Sequence, residues 1–175
     1  EEPYQVNFDK LSGLRPVFAK DGAITAANAS TINDGASFAL LVSDSAVEKY
    51  NLKPIARLVS YASASGHPDL FTDMPVLAMQ RALDNAQLKA EDIGRFEINE
   101  AFASVPMIAI KELGLDRSKV NVNGGAVSIG HPVGASGARL IATLLPELQR
   151  SGERYGLASL CIGGGEAVAA IFERL

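Results

Sequence analysis

Three short segments carry the side chains whose types and spacing could do chemistry. NGGAVSIGHPVGASGAR sets His131 among five glycines, CIGGG begins with Cys161, and INEAFA contains Asn99. An imidazole held in a rigid glycine loop can move protons, and a thiol beside exposed backbone N–H groups lies next to a place for an oxyanion. A thiol with an oxyanion site suggests acyl chemistry.

Each segment also has a purely structural explanation, which the residues alone leave open. His131 could satisfy local hydrogen bonds in a tight strand-to-helix turn. Cys161 could be a small buried hydrophobe, and Asn99 could cap a helix with Glu100 in its first turn. The other histidine, His67, lies in the turn sequence SGHPD and is expected in an exposed loop without a catalytic role.

The elements that must position these segments alternate between strand and helix. Strands are predicted for ASFALLVS (36–43), IARLVSYAS (55–63), RFEIN (95–99), KVNVN (119–123) and twice within YGLASLCIGGGEAVAAIFERL (155–175). Helices are predicted for SDSAVEKYN (43–51), FTDMPVLAMQRALDNA (71–86), FASVPMIAIKELG (102–114) and GASGARLIATLLPELQRSG (134–152). This order predicts an α/β fold with a mixed sheet. Because ligand sites gather beyond the carboxyl ends of such strands, we expect Asn99, His131 and Cys161 to converge.

Composition excludes several other classes of function. The chain has 175 residues, 47% of them hydrophobic, which is enough for a substantial core. With a net charge of −4 and no basic run, it is not expected to bind nucleic acid, and no apolar run approaches the roughly 18 residues of a membrane span. A single cysteine excludes an internal disulfide and a cysteine-built metal site, and it fits a reducing compartment. Neither G-x-x-x-x-G-K-[ST] nor G-x-G-x-x-G occurs.

The three segments together resemble a known family. NEAFA, NGGAVSIGHPVGASGAR and CIGGG are similar to the three carboxyl-half motifs of the thiolases, most closely the acetyl-CoA acetyltransferases. GAITAANASTINDGAS (22–37) resembles the thiolase segment that lines the coenzyme A tunnel. The resemblance extends over nearly the whole chain but over only the carboxyl-terminal part of a thiolase.

The resemblance implies a fold and a division of the chain. In thiolases two similar α/β halves pack as a five-layered α-β-α-β-α core, with a loop domain inserted in the amino-terminal half. Residues 1–32 would then be the end of the coenzyme A-binding loop domain, and residues 33–175 the carboxyl-terminal thiolase domain. That domain would be a mixed β-sheet with helices on both faces, and it would complete the core with an amino-terminal half that this chain lacks.

The resemblance also implies catalytic roles. His131 would take the proton from a nucleophilic cysteine of the amino-terminal half, and later, with a water held by Asn99, would hydrogen-bond the thioester oxygen. Cys161 would remove the α-proton of acetyl-CoA in synthesis or return it in thiolysis, and the Gly163 N–H would help hold the acyl-enzyme oxyanion. Because no motif of the Cys-Gly-Ser-Gly type occurs here, this chain is expected to be active only with its complementary half.

Substrate contacts follow from the same resemblance. Residues expected to contact the pantetheine arm or to line its tunnel and pocket are Ser30, Ala26, Phe18, Ala101 and Phe102. The two phenylalanines could equally be ordinary core aromatics.

The sequence departs from the family pattern at two places. Thr31 and Ile32 stand where many members have Gly-Leu, and Glu166-Ala167 replaces a small or apolar pair that often follows the glycines. If Glu166 faced inward, its carboxylate would raise the pKa of Cys161 and put its role as a base in doubt.

The expected function is that of an acetyl-CoA C-acetyltransferase, catalysing reversible Claisen condensation of two acetyl-CoA or thiolysis of 3-ketoacyl-CoA. Coenzyme A thioesters would be its substrates, with no further cofactor and no metal, and the complete enzyme would be a cytoplasmic homodimer or homotetramer. A ketoacyl-synthase-like condensing enzyme is an alternative, but Asn99 and Cys161 stand in place of its second histidine. The other alternative is a non-catalytic thiolase-like subunit that binds acyl-CoA or lipid, which the intact Asn99, His131 and Cys161 disfavour.

Overall fold

The computed structural model describes residue 4 and residues 6–175. Its framework is a four-stranded sheet of β1 (Ala56–Ser65), β2 (Ile93–Ile98), β3 (Tyr155–Ile162) and β4 (Glu166–Arg174), in the spatial order β1-β4-β3-β2. β2 and β3 are parallel, whereas β4 runs antiparallel to both β3 and β1. The predicted mixed sheet of an α/β protein is therefore confirmed.

Five α-helices accompany the sheet within the described residues: α1 (Asp44–Tyr50), α2 (Met74–Ala86), α3 (Ser104–Leu113), α4 (Ala126–Ile129) and α5 (Ser136–Ser151). Their ends follow local chemistry. Ser43 caps α1 by accepting a hydrogen bond from the Ala46 N–H, and Gly114 ends α3 with a φ of 62°. α2 begins after Asp73, three residues later than the predicted start at Phe71, and the Asp73 side chain makes no capping hydrogen bond.

Helices pack on both faces of the sheet, as predicted. On one face α2 lies across β1 and β4, and buried side chains such as Ala169 and Ile171 of β4 face it. On the other face α5 lies over β2 and β3, where Leu140, Leu144 and Leu148 pack against Ala158. Because side chains alternate along a strand, β3 and β4 supply both cores: Leu157 and Ile171 face α2, whereas Ala158 and Phe172 face α5.

The α5 face of the sheet is only partly covered. α5 leaves the side of β1 and β4 open, so Leu58 is 42% exposed and Tyr61 is 73% exposed. Between this open sheet and α5 runs an apolar groove of about 690 Å³, lined in part by Tyr61, Ile141, Leu160 and Val168. The two faces therefore differ: the α2 face is closed and the α5 face is half open.

Two predicted strands are wrong. Residues 36–43 form neither strand nor helix up to the cap of α1, and Phe38, Leu40 and Leu41 are 94%, 80% and 77% exposed. An extended segment needs a neighbouring strand to pair its backbone, and no described strand lies beside this one. The apolar run alone therefore misled the prediction.

The segment KVNVN fails as a strand for a different reason. Val120 makes one bridge to Phe96 of β2, but the next residue, Asn121, takes a left-handed φ of 49° that ends the extended backbone. Its side chain replaces the ladder: Oδ1 accepts from the Ile98 N–H and Nδ2 donates to the Ile98 carbonyl, both at 2.8 Å. The side-chain amide of Asn121 thus makes the hydrogen bonds to Ile98 that a neighbouring strand would otherwise make.

Candidate active site

The loop that carries His131 is held in place through its backbone. The His131 N–H donates to the Thr31 carbonyl and to Asn33 Oδ1, both at 3.0 Å. Gly130 has a φ of 94°, and a Cβ there would lie 2.4 Å from Asn33 Oδ1, so only glycine fits this close approach. The segment 31–33 and the histidine loop are therefore one packed unit, although they are far apart in sequence.

The imidazole of His131 has a partner at each ring nitrogen. Nδ1 lies 2.6 Å from Ser136 Oγ, and Nε2 lies 3.3 Å from Asn99 Nδ2. Burial, and secondly the positive charge of Arg139, lower the pKa of His131 below its ordinary value of 6.5. The ring is therefore neutral at pH 7 and can accept a proton.

Asn99 lies at the carboxyl end of β2 and is fully buried. Its N–H donates to the Ser159 carbonyl of β3 at 2.9 Å, which extends the parallel pairing by one residue. Its side-chain Nδ2 faces His131, and its Oδ1 has no hydrogen-bond partner in the described part of the chain. The alternative that Asn99 caps a helix is wrong, because α3 begins at Ser104.

Glu100 ties down the glycines that precede α4. Its carboxylate accepts hydrogen bonds from Asn121 Nδ2 at 3.1 Å and from the Val127 N–H at 3.0 Å. A side chain at Gly125 would overlap this carboxylate, which gives the second glycine of the Gly-Gly pair a steric reason.

A buried ion pair lies between β2 and the first turns of α5. Glu97 is 2% exposed, and its Oε2 lies 3.5 Å from Nη1 of Arg139. Burial raises the pKa of Glu97 to about 7, although the neighbouring Arg139 acts in the opposite direction. The charge of Arg139 in turn disfavours a second positive charge on His131.

Cys161 lies near the end of β3, directly opposite Ala167 of β4, and packs at the edge of the α2-side core. Burial raises the pKa of its thiol above the ordinary 9.0, so the group is protonated at pH 7. The Asn99 N–H donates to the carbonyl of Ser159, which lies two residues before Cys161 in β3. Cys161 and Asn99 therefore lie at the same edge of the sheet.

The turn after Cys161 is built from three glycines with different surroundings. A Cβ at Gly163 would meet nothing within 4 Å, so its backbone is accessible from that side. Gly165 has a φ of 88°, and a Cβ there would lie 2.6 Å from the Gly66 carbonyl oxygen. Since the Gly66 N–H also donates to the Gly165 carbonyl at 2.8 Å, the exposed turn that contains His67 braces this one.

Glu166 does not face Cys161. It is exposed and adjoins the buried Ala167, which is the residue paired with Cys161, so its side chain points to the opposite side of the sheet. The raised pKa of Cys161 comes from burial, and Glu166 contributes nothing to it.

Four of the five predicted substrate residues lie together. Ser30 donates from both its N–H and its Oγ to the Ala101 carbonyl, each at 3.1 Å. Phe18 stacks edge-to-face on Phe102 with 5.6 Å between ring centroids. The fifth residue, Ala26, is exposed.

Sequence reasoning missed three residues at this site. Phe71 contacts the Phe102 ring at 6.2 Å between centroids, Asn33 holds the His131 backbone, and Ser136 contacts the imidazole. Only Ser136 had a signal in the sequence, as a hydroxyl at the start of a predicted helix shortly after the histidine.

Across the described part of the chain, no group of three or more His, Cys, Asp or Glu side chains could hold a metal ion. In the same residues, no helix is long and apolar enough to cross a membrane.

The fold and the site define an α/β domain whose histidine and asparagine meet beyond a parallel strand pair, beside a cysteine-glycine turn. The family model described as "Thiolase, C-terminal domain" matches residues 52–174, and that described as "Thiolase, N-terminal domain" matches residues 1–45. The chain therefore belongs to the thiolase family.

Individual relatives agree with this assignment. A probable acetyl-CoA acetyltransferase of Dictyostelium discoideum is 47% identical over all of this chain, which spans 42% of that protein. The structure of the Bacillus anthracis acetyl-CoA acetyltransferase superposes with a TM-score of 0.91 at 43% identity, over 98% of this chain and 43% of that one. An Ascaris suum thiolase in complex with coenzyme A gives 0.91 at 47% identity, over 100% and 46%. This chain thus spans less than half the length of the relatives it matches.

Proposed function

We propose that this chain supplies the carboxyl-terminal part of an acetyl-CoA C-acetyltransferase. The enzyme would condense two acetyl-CoA reversibly or thiolyse 3-ketoacyl-CoA, through an acyl-cysteine carried by a complementary amino-terminal half. The observation that carries the proposal is the neutral His131, whose Nε2 faces Asn99 at the sheet edge where Cys161 is the penultimate residue of β3. The relatives named acetyl-CoA acetyltransferase support it.

In the proposed reaction His131 acts first as a base. It accepts the proton of the nucleophilic cysteine while that sulfur attacks the acetyl-CoA carbonyl, and the departing coenzyme A thiolate takes its proton from Cys161, which leaves His131 protonated and Cys161 as a thiolate. After acylation, the protonated His131 donates from Nε2–H, and a water on Asn99 also donates, to the thioester oxygen of the second acetyl-CoA. The buried, unpartnered Oδ1 of Asn99 supports a role for this side chain toward a bound molecule.

Cys161 is proposed to move the α-proton. In thiolysis its thiol would give a proton to the enolate carbon of departing acetyl-CoA, and in synthesis its thiolate would take that proton back. The raised pKa of Cys161 suits the acid, because the resting group keeps its proton at pH 7. The open side of Gly163 supports a further role for its N–H in holding the acyl-enzyme oxyanion.

Coenzyme A thioesters are the proposed substrates. Phe18, Ser30, Ala101 and Phe102 form one contact cluster that would line the path of the pantetheine arm, with Ala26 exposed nearby in sequence. The Ascaris suum thiolase and a human mitochondrial 3-ketoacyl-CoA thiolase, both solved with coenzyme A, support this assignment. The proposed division remains residues 1–32 as the end of the loop domain and residues 33–175 as the carboxyl-terminal domain.

The proposed partner is the complementary amino-terminal half, whether separate or continuous with this chain. Two apolar regions support it: the open α5 face with its groove, and the exposed side chains of Phe38, Leu40 and Leu41. The complete enzyme would be a homodimer or homotetramer. A cytoplasmic location is proposed because the catalytic thiol must stay reduced.

A denaturing intact-mass measurement tests the proposed function. The assembled protein is incubated with acetoacetyl-CoA, digested and mapped, and an acetyl mass is expected on a cysteine outside residues 1–175. The His131→Ala variant is expected to gain little or none of this mass in the same time. A wild-type protein that stays unmodified would overturn the proposal in favour of a non-catalytic subunit, and acetylation of Cys161 itself would contradict the assigned roles.

A further inference from the structure

We propose that Ser136 is a positioning residue that fixes the tautomer of His131, with the proton on Nδ1 and the lone pair on Nε2. The kinetic consequence of this inference rests on the proposed function, whereas the tautomer itself does not. Nothing in the roles given above requires Ser136.

The hydrogen bonds of Ser136 determine what its hydroxyl can offer the ring. Ser136 is fully buried, and its Oγ donates its one proton to the Pro132 carbonyl at 3.0 Å. A serine hydroxyl has a single proton, so toward His131 Nδ1, at 2.6 Å, this oxygen can only accept. Nδ1 must therefore carry the hydrogen.

The other ring nitrogen leads independently to the same tautomer. Asn99 approaches Nε2 with its Nδ2, at 3.3 Å, and an amide nitrogen is only a donor. Nε2 must therefore present its lone pair. With the hydrogen on Nε2 instead, two N–H groups would face each other on that side, and on the other side the lone pairs of Nδ1 and of the serine oxygen would face each other unless the hydroxyl gave up the Pro132 carbonyl.

The local fold explains why a serine five residues later reaches the ring. Pro132 restricts the backbone after the histidine, and its carbonyl accepts both the Ala135 N–H at 2.8 Å and the Ser136 hydroxyl. This turn brings the first residue of α5 beneath the imidazole. The same carbonyl that closes the turn thus orients the hydroxyl that selects the tautomer.

Removing the Ser136 hydroxyl should change the tautomer of His131 while leaving the imidazole in place. In Ser136→Ala, Nδ1–H loses its acceptor in a half-buried site, so a fraction of the molecules would carry the hydrogen on Nε2 and could not accept a proton there. In the assembled enzyme we expect kcat of acetoacetyl-CoA thiolysis to fall about 10- to 100-fold, with KM changed less than about threefold. Ser136→Thr keeps the hydroxyl and should recover most of the loss.

Nitrogen NMR of ¹⁵N-histidine-labelled assembled protein reads the tautomer directly. The His131 signals are assigned by their absence in His131→Asn, and the exposed His67 serves as a reference ring. We expect a protonated Nδ1 and an unprotonated Nε2 in the wild type at pH 8, a shift toward the other tautomer in Ser136→Ala, and the wild-type pattern in Ser136→Thr. Thr143→Ala is the matched control, because it removes a hydroxyl bonded to the Arg139 carbonyl on the same helix and should leave the ring unchanged.

Two results would overturn the inference: a wild-type His131 with its hydrogen on Nε2, or a Ser136→Ala variant that keeps the wild-type tautomer. The wild-type spectrum suffices to test the tautomer if Ser136→Ala fails to fold, and Ser136→Gly then provides a second way to delete the hydroxyl. The spectrum does not require catalytic turnover. If the assembled protein showed no acyl transfer, the proposed function would be overturned, but the spectrum would still show which tautomer His131 adopts.

Discussion

The histidine loop and the cysteine turn lie at the same edge of the sheet but are built in opposite ways. Around His131, the backbone N–H donates to Thr31 and Asn33, and the two ring nitrogens contact Asn99 and Ser136. Around Cys161 the contacts are apolar on the core side, and the turn that follows leaves Gly163 exposed.

Under the proposed function, this difference separates what the chain completes by itself from what the complementary half would add. The direction of the imidazole is determined within this chain, because each ring nitrogen has a partner among the described residues. The Cys161 turn supplies a thiol and open backbone donors without enclosing them. A base needs fixed partners, whereas a place where substrate and acyl group meet must stay accessible until they bind.

The largest expected effect comes from removing the imidazole of His131. In the assembled enzyme, His131→Ala should lower the thiolysis rate about 10³-fold and suppress acylation, because general-base catalysis is typically worth 10² to 10⁴. Initial rates with acetoacetyl-CoA and coenzyme A measure this. His67→Ala is the control, since His67 is exposed in its turn, and it should retain activity within about twofold. Acylation at the wild-type rate in His131→Ala would refute the division of roles.

The next effect separates the two regions within one reaction. Cys161→Ala should slow thiolysis about 10²- to 10³-fold, yet incubation with acetyl-CoA should still add the acetyl mass, because coenzyme A can depart as a thiolate and that transfer breaks no α-C–H bond. Exchange of acetyl-CoA α-protons in D₂O should be lost in parallel. If Cys161→Ala loses acylation as completely as His131→Ala does, the two groups are not functionally separate.

A smaller effect concerns the two ends of the glycine turn. Gly165→Ala should destabilise the protein by about 2–4 kcal/mol, because it combines a positive φ with a Cβ that overlaps the Gly66 carbonyl. Gly163→Ala faces open space and should change stability by less than about 0.5 kcal/mol. Urea unfolding midpoints of the two variants measure the difference. Equal midpoints would show that the turn is not braced by the residues around Gly66.

The smallest effect is expected at Glu166. Burial disfavours the thiolate of Cys161, so its alkylation by iodoacetamide should be slow at pH 7 and rise only above the ordinary thiol pKa of 9.0. Glu166→Gln should leave this pH profile unchanged within about 0.2 pH units, because the carboxylate lies on the opposite side of β4. Peptide-resolved mass spectrometry follows the reaction at Cys161, and a profile shifted to lower pH in the variant would show that Glu166 influences the thiol.

The order of strands and helices could be predicted from the sequence because it depends on short-range patterns. The alternating residues of β3 and β4 and the glycine at the end of α3 carry that information locally. Residues 36–43 show the limit of such patterns. Their apolar run has the composition of a strand, but a strand exists only where another one pairs with it.

At the candidate site, too, some residues could be predicted from the sequence and others could not. The spacing of the motifs and their family resemblance indicated Asn99, His131 and Cys161, because the pattern placed each of them near the end of a predicted strand. The contacts of Ser136, Asn33 and Asn121 depend on where side-chain oxygens lie after long loops have closed. The direction of a side chain after such a loop is set by tertiary packing, which no local periodicity records.

The pairing of β1 with β4 also constrains how the protein is made. Among the described residues, 56–65 pair with 166–174 and with no other strand, so during synthesis β1 must wait for this pairing while roughly a hundred further residues emerge, about 5–20 s at usual elongation rates. Throughout that time its two edges are unpaired and its apolar side chains exposed, which makes the nascent chain a target for chaperones. The Cys161 turn lies between the last two strands, so it takes its shape only when β1 is finally covered.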